Sequence, residues 1–100
     1  MLIVNKDRNG IINIANITNI YIGADGCTIK ADYVNGKGCQ IGRYVSEKEA
    51  KIAISIAAKN MQKSGVCMMP DDNEIRAQLA LEETKWHHVT GKKVKGHGGS

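Results

Sequence analysis

The sequence is poor in aromatic residues and in proline. Its 100 residues include no phenylalanine, one tryptophan (Trp86), three tyrosines and one proline (Pro70). A hydrophobic core must therefore be aliphatic, built chiefly from isoleucine, valine, alanine and methionine, and such a core is thin. Because a small domain can bury more surface by pairing with copies of itself, the composition favours a homo-oligomer.

Long apolar runs and paired cysteines are also missing. No apolar run approaches the ~18 residues that span a bilayer, and residues 1–4 are too short for a signal-peptide core. Cys27, Cys39 and Cys67 are odd in number and far apart, with no Cys-x-x-Cys among them. This usage predicts reduced thiols in a cytoplasmic protein without a membrane partner; a Cys27–Cys39 disulfide is the alternative.

The positive charge is confined to one end of the chain. Residues 1–84 carry ten lysines and arginines against ten acids, whereas residues 85–100 carry four lysines and no acid, which accounts for the net charge of +4. This asymmetry indicates an anionic partner. The alternative is a solvated, flexible tail.

The pattern of turns and apolar residues predicts a single α+β domain. Turn-forming clusters at Asn9-Gly10, 23–26 and 35–38 separate β-branched runs about ten residues apart, which is typical of an antiparallel meander. The prediction comprises a meander of four to five strands over residues 1–45, a long helix over 46–64, a shorter helix over 71–83, and an extended glycine- and lysine-rich segment over 85–100.

Local capping signals fix where the predicted helices begin. Ser46 and Glu49 form a capping box at the start of the long helix, and Gly65 occupies the position of a left-handed C-terminal cap. Asp71 is the predicted N-cap of the second helix, with Glu74 as its partner three residues later.

The long helix has a wider apolar arc than one sheet can cover. Ile52, Ile56 and Ala58 extend the arc beyond a single stripe, so either a second chain or the C-terminal segment must cover them. The opposite face is predicted to be solvated and carries Lys48, Lys51, Ser55, Lys59 and Gln62.

The C-terminal segment has the composition of a phosphate cradle. Glycines let backbone N–H groups converge on an anion, and lysines add charge. Gly91 and Gly96 have the Walker spacing, but His97 replaces the Walker lysine, which excludes a nucleoside triphosphatase loop. The predicted ligand-binding residues are Arg43, Trp86, His87, His88, Thr90, Gly91, Lys92, Lys93, Lys95, Gly96, His97, Gly98 and Gly99.

Within this segment Trp86 has two interpretations, and the histidines do not suggest a metal site. The Trp86 ring can stack on a nucleobase beside the cations, or it can anchor the segment to the body. His87 and His88 point apart in an extended chain and have no carboxylate or cysteine at ligand spacing. With no recognisable nucleophile–base signature either, the sequence predicts neither a metal, nor a cofactor, nor an enzyme.

Several segments together resemble small phage proteins, and more narrowly the Thoeris anti-defence sponge family. They are the Asn13-Ile14 and Asn16-Ile17 repeats, Ile41-Gly42-Arg43-Tyr44 running into Ser46-Glu47-Lys48-Glu49-Ala50, Met69-Pro70-Asp71-Asp72, and the ending Thr90-Gly91-Lys92-Lys93-Val94-Lys95-Gly96-His97-Gly98-Gly99-Ser100. The resemblance covers nearly the whole chain, and its specific part is the glycine- and lysine-rich ending.

The resemblance implies a phage protein in the cytoplasm of an infected bacterium. Such a protein binds immune signalling nucleotides, cyclic ADP-ribose isomers or cyclic oligonucleotides, without cleaving them. It also implies a homo-oligomer, a dimer or larger with a hexamer among the alternatives, and ligand pockets between protomers. Members of that family stack the base on an aromatic residue and bind the phosphates with arginines. In this sequence Trp86 or a tyrosine must stack on the base, and the lysines must bind the phosphates. The competing hypotheses are a phage accessory protein that binds nucleic acid or inhibits a host protein, and an interaction module with a disordered tail.

Overall fold

The computed structural model describes residues 1–63 and 65–83. Its elements confirm the predicted α+β class, with strands and two helices. Helix α1 is Glu47–Met61 and helix α2 covers residues 72–83. The strands are β1 (Leu2–Val4), β2 (Ile11–Asn13), β3 (Ile17–Ile22), β4 (Thr28–Tyr33), β5 (Gly38–Arg43) and β6 (Val66–Met68).

The strands form two sheets instead of the single predicted meander. The small sheet has the order β2-β1-β6, and the meander sheet has the order β3-β4-β5. The chain leaves the first for the second through a 3₁₀ turn, Ile14–Asn16, in which the Asn13 side chain accepts a hydrogen bond from the Ala15 amide at 3.0 Å. An Asn side chain that satisfies a backbone donor in this way competes with strand continuation, so the turn interrupts the meander.

The small sheet is mixed. Strands β1 and β2 pair antiparallel with Ile3 opposite Ile12, and their loop is closed by Asn5 Oδ1, which accepts from the amides of Asn9 at 3.0 Å and Gly10 at 3.2 Å. Strand β6 pairs parallel to the other side of β1, with Cys67 opposite Ile3. The first strand of the chain is therefore the middle strand of this sheet.

The turns of the meander sheet depend on local chemistry. Gly26 and Gly36 have φ of 76° and 86°, a conformation that favours glycine. Asp25 accepts hydrogen bonds from the Thr28 hydroxyl at 2.6 Å and from the amides of Cys27 and Thr28 at 2.9 Å. These hydrogen bonds lower the pKa of Asp25 to about 2, and the bond from the Thr28 hydroxyl has the largest effect.

Helix α1 begins as predicted but ends earlier. The Glu49 amide donates to Ser46 Oγ at 3.2 Å, which confirms the cap. The prediction that Gly65 ends the helix in a left-handed conformation is wrong. The helix stops at Met61, Gln62 caps it in a right-handed conformation, and Gly65 instead leads into β6 with its carbonyl accepting from a β1 amide at 2.8 Å.

Helix α2 has the predicted start. The Glu74 amide donates to Asp71 Oδ1 at 2.8 Å, and the Asp71 amide donates back to Glu74 Oε1 at 3.4 Å. This reciprocal arrangement satisfies two groups that would otherwise lack partners at a helix end. The first helical residue is 72 rather than 71, because Asp71 acts as the cap.

The core is aliphatic, as predicted, apart from one tyrosine. Helix α1 packs against strands of both sheets. From α2, Ile75 belongs to the core and Leu79 packs against it. Among the residues that the structure describes, Tyr44 is the single aromatic side chain in the core, with 3% of its surface exposed. The fully buried large side chains are Ile3, Ile29, Ile41, Cys67, Met69, Pro70 and Ile75.

Candidate functional site

Of the predicted ligand-binding residues, only Arg43 belongs to the part of the chain that the structure describes. The other twelve predictions remain predictions, since these residues lie outside the described ranges: Trp86, His87, His88, Thr90, Gly91, Lys92, Lys93, Lys95, Gly96, His97, Gly98 and Gly99.

Arg43 is exposed at the end of β5, opposite Thr28 of β4. Its backbone carbonyl accepts a hydrogen bond from Lys6 Nζ at 2.6 Å. The pKa of Asp25 is lowered first by the Thr28 hydroxyl, then by backbone amides, and least by the charge of Arg43. The guanidinium therefore acts on an acidic turn, where a nearby carboxylate offsets part of its attraction for an anion.

The described residues form a cleft between α1 and α2. Its volume is about 290 Å³. One wall carries three lysines and a serine from α1, the floor is formed by two isoleucines, and α2 supplies an amide and a carboxylate. We call it the lysine cleft; its lining residues are Lys48, Lys51, Ile52, Ser55, Ile56, Lys59, Gln78 and Glu82.

Helical periodicity explains why these side chains converge. Residues three or four positions apart lie on one side of a helix, so Lys48, Lys51 and Lys59 form a row along α1. Ile52 and Ile56 form the neighbouring row. Ile52 is buried and Ile56 is half-buried where α2 lies beside them, so α2 covers these two residues. The hypothesis of a second chain is not needed to account for this part of the arc.

The lysine cleft has an excess of positive charge. Among its lining side chains three lysines face one acid, Glu82. Lys51 also contacts Glu47, with Nζ 3.2 Å from Oε1, but both side chains are about two-thirds exposed. Exposed helix pairs of this kind contribute only ~0.3–0.5 kcal/mol, so an incoming anion can compete for Lys51.

A smaller recess of about 170 Å³ adjoins the lysine cleft. It shares Lys48 and Glu82 with the cleft and adds Leu79 and Glu83. Glu83 is the last described residue of α2. In the sequence, the basic segment begins two residues after Glu83.

A group of buried and half-buried contacts fixes the start of α2. We call Lys6, Tyr44 and Asp72 the anchor cluster. Lys6 Nζ lies 2.8 Å from Asp72 Oδ1 and 4.3 Å from the centre of the Tyr44 ring. The Tyr44 hydroxyl donates to the Pro70 carbonyl at 2.8 Å, and Arg8 Nη1 donates to the adjoining Met69 carbonyl at 2.7 Å.

The anchor cluster is structural. Burial, followed by the negative charge of Asp72, raises the pKa of the Tyr44 hydroxyl, so it remains a neutral donor. Because the cluster ties the loop after β1, the residue following β5 and the first turn of α2 together, it sets the position of one wall of the lysine cleft.

A second groove, on the other side of α1, is apolar. It has a volume of about 200 Å³ and lies between α1, β3 and the residue after β6. Its lining offers no charged side chain to an anion, so it does not match the predicted ligand. The lining residues are Ile20, Ile54, Ala57, Ala58, Met61 and Met69.

The lysine cleft was not predicted from the sequence. Helical periodicity predicts a solvated face for its lysines, and the composition predicts the anion site in residues 85–100 instead. The available signal was the lysine row beside an apolar arc too wide for one sheet, since such a border indicates that a further element packs next to the charges.

No protein-family model, curated protein or solved structure matches this chain. Within residues 1–63 and 65–83 no helix is both long and apolar enough to cross a membrane. In the same ranges no three histidine, cysteine, aspartate or glutamate side chains are grouped so as to hold a metal ion. The three cysteines are free thiols, and burial raises the pKa of the Cys67 thiol.

Proposed function

We propose that this protein binds and sequesters a small anionic nucleotide without cleaving it. The ligand class is that of immune signalling nucleotides, cyclic ADP-ribose isomers or cyclic oligonucleotides. The proposed setting is the cytoplasm of a phage-infected bacterium. The lysine cleft and the basic segment that follows α2 in sequence form the proposed site.

The observation that supports this proposal is the combination of an apolar floor and a cationic wall in one cleft. A nucleotide presents a flat apolar base and charged phosphates, and it needs both kinds of surface close together. Ile52 and Ile56 supply the apolar surface. The cationic surface comes from Lys48, Lys51 and Lys59.

The size of the cleft implies that other groups complete the site. Its 290 Å³ lies just below the ~300–1,000 Å³ range of ligand pockets. A dinucleotide-sized ligand would be held only in part. The basic segment begins two residues beyond Glu83 in the sequence, and each residue of an extended chain spans up to ~3.6 Å, so Trp86 and the lysines after it are well placed in the sequence to supply the remainder.

Isothermal titration of the full chain with cyclic ADP-ribose isomers and cyclic di- and trinucleotides tests the proposal. We expect heat of binding for at least one ligand, and recovery of that ligand chemically intact after the protein is denatured by heat. Absence of heat across the panel, or recovery of a cleaved product, would refute sequestration.

Charge-matched variants test the location of the site. The triple change Lys48→Gln, Lys51→Gln and Lys59→Gln removes three cations from the cleft, and we expect affinity to fall at least ~30-fold if each contact contributes ~0.7 kcal/mol or more. The control changes three exposed lysines elsewhere in the described chain, Lys30, Lys37 and Lys63, to glutamine. Equal losses in the two variants would show that only net charge matters.

Salt dependence separates this proposal from binding to a nucleic acid polymer. Polymer binding falls with a log–log slope of about −0.9 for each phosphate contact. A ligand whose phosphates are held in a partly enclosed site is expected to depend less steeply on salt. We further propose a homo-oligomer, a dimer or a larger assembly, as the form that binds ligand; the mass in solution tests this separately.

A further inference from the structure

The small sheet has one face toward the core and one face toward solvent. Its inward side chains are Ile3, Ile12 and Cys67, which are buried or half-buried. Because side chains alternate along a strand, the neighbouring residues point outward. The register of the three strands places these outward residues in two rows across the sheet. The rows are Ile11–Val4–Met68 and Asn13–Leu2–Val66.

This outer face is apolar and exposed. Five of its six side chains are apolar and none is charged. The exposed fractions of Leu2, Ile11, Val66 and Met68 lie between 40% and 67%. Single exposed apolar residues are ordinary, but a contiguous set of them on one sheet face marks a contact surface.

We infer that the outer face of the small sheet joins two copies of this chain. The face contains no cation or acid, so a nucleic acid or a highly charged protein has nothing to pair with there. A second copy presents the same uncharged apolar grid, which makes a two-fold symmetric contact self-complementary. Residues 1–83 carry equal numbers of basic and acidic side chains, so the bodies of two copies do not repel each other.

The C-terminal segment is a poorer match to this face. Of the residues in positions 84–100, only Trp86, Val89 and Val94 are apolar, and the rest are mostly glycine, lysine, histidine and hydroxyl residues. A segment with this composition offers little apolar surface, and burying its polar groups against an apolar grid is costly, so a second copy is the better match.

The size of the face indicates how strong the dimer is. Strands ~4.8 Å apart and rows ~6.8 Å apart give the grid an accessible area on the order of a few hundred Å². A standard interface buries about 800 Å² per partner, and smaller ones are weak. The dimer is therefore expected to dissociate on dilution, with a dissociation constant in the micromolar range or above.

Sedimentation of the full chain without nucleotide, from about 10 µM to about 1 mM, tests the inference. We expect the mass to rise from the 10.9 kDa of a monomer toward twice that value. Ile11→Lys places a charge on the face and is expected to raise the dissociation constant at least ~10-fold. Val34→Lys is the matched control, since Val34 is 66% exposed and Ile11 is 67% exposed, and Val34 lies outside the small sheet.

Met68→Lys gives a second, independent test on the opposite strand of the face. A wild-type chain that stays at 10.9 kDa throughout the range would overturn the inference and leave the face to the C-terminal segment or to another protein. Dimers unchanged in both face variants, or equally weakened in Val34→Lys, would overturn it as well. The inference does not rest on nucleotide binding. A dimer that binds no nucleotide refutes sequestration and leaves the dimer standing. A monomer that binds a nucleotide refutes the dimer, and with it the oligomer as the binding form, and leaves sequestration standing.

Discussion

Replacing Tyr44 with phenylalanine removes one hydroxyl from the middle of the anchor cluster. The ring and its contact with Lys6 remain, but the Pro70 carbonyl loses the donor that lies 2.8 Å away in a buried position. A buried polar group left without its partner costs ~1–3 kcal/mol. We therefore expect the free energy of unfolding to fall by about 2 kcal/mol, a large part of the stability of a chain of this size.

The assay is urea unfolding followed by circular dichroism, with thermal melting as a second measure, where each kcal/mol lowers the Tm by ~4–8 °C. Tyr21→Phe is the control. The Tyr21 hydroxyl also donates to an oxygen, Asp32 Oδ1 at 3.2 Å, but from a half-exposed position where water can replace the bond. The loss of unfolding free energy in Tyr21→Phe is therefore expected to be much smaller than in Tyr44→Phe.

The pH dependence gives a readout specific to Tyr44. Its pKa is raised in the folded protein by burial and by the nearby Asp72 carboxylate. The stabilising effect of the neutral hydroxyl is therefore fully present below the unfolded pKa of ~10 and is lost as the pH rises above it. The stability difference between wild type and Tyr44→Phe should shrink above about pH 10. A loss no larger than that of Tyr21→Phe, with no change at high pH, would refute the structural role assigned to this hydroxyl.

Two other features of the fold give sharp expectations. Gly42→Ala should lower the free energy of unfolding by ~1–3 kcal/mol, because an added Cβ would lie 3.0 Å from the Tyr44 ring. At Gly65 an added Cβ would meet no atom of the described residues within 4 Å beyond its chain neighbours, and the backbone is not left-handed. Gly65→Ala should therefore leave the urea midpoint unchanged or slightly higher; equal losses in both variants would contradict the packing argument. For Asp25, the folded pKa of about 2 lies below its ordinary 3.8, so its contribution is present above about pH 4 and is lost as the pH falls through about 2. Asp25→Asn should flatten the fall in urea midpoint over that interval, and an unchanged acid profile would show that the carboxylate is not the responsible group.

The parts of the fold that depend on neighbouring residues were predictable. The starts of both helices follow from Ser46 and Asp71, because a cap bonds to amides three residues away. The end of α1 was not predictable from Gly65 alone, because glycine permits a left-handed cap without requiring one. The helix ended four residues earlier in the sequence, at Met61.

The parts that depend on distant residues were not predictable. Asn13 ends one sheet through a local bond to the Ala15 amide, but an asparagine does not always make this bond, so the residue type alone does not show that the chain changes sheets here. The lysine cleft, too, depends on residues that are distant in the sequence. The spacing of Lys48, Lys51 and Lys59 places them in a row, but a row becomes a cleft wall only where α2 lies beside it, and that placement is set by the anchor cluster through contacts between residues far apart in the sequence.

The place of β1 between β2 and β6 has a consequence for how the chain is made. Ile3 lies opposite Cys67 in a parallel pair, so β1 cannot complete this pairing until Cys67 has left the ribosome. Closing so long a loop is entropically costly, and parallel pairing of this kind is slow. Until then the earliest segment can form only its hairpin with Ile11–Asn13, and a two-stranded hairpin alone is marginal in water. Until β6 has been made, β1 and β2 of a nascent chain are therefore open to chaperones and proteases.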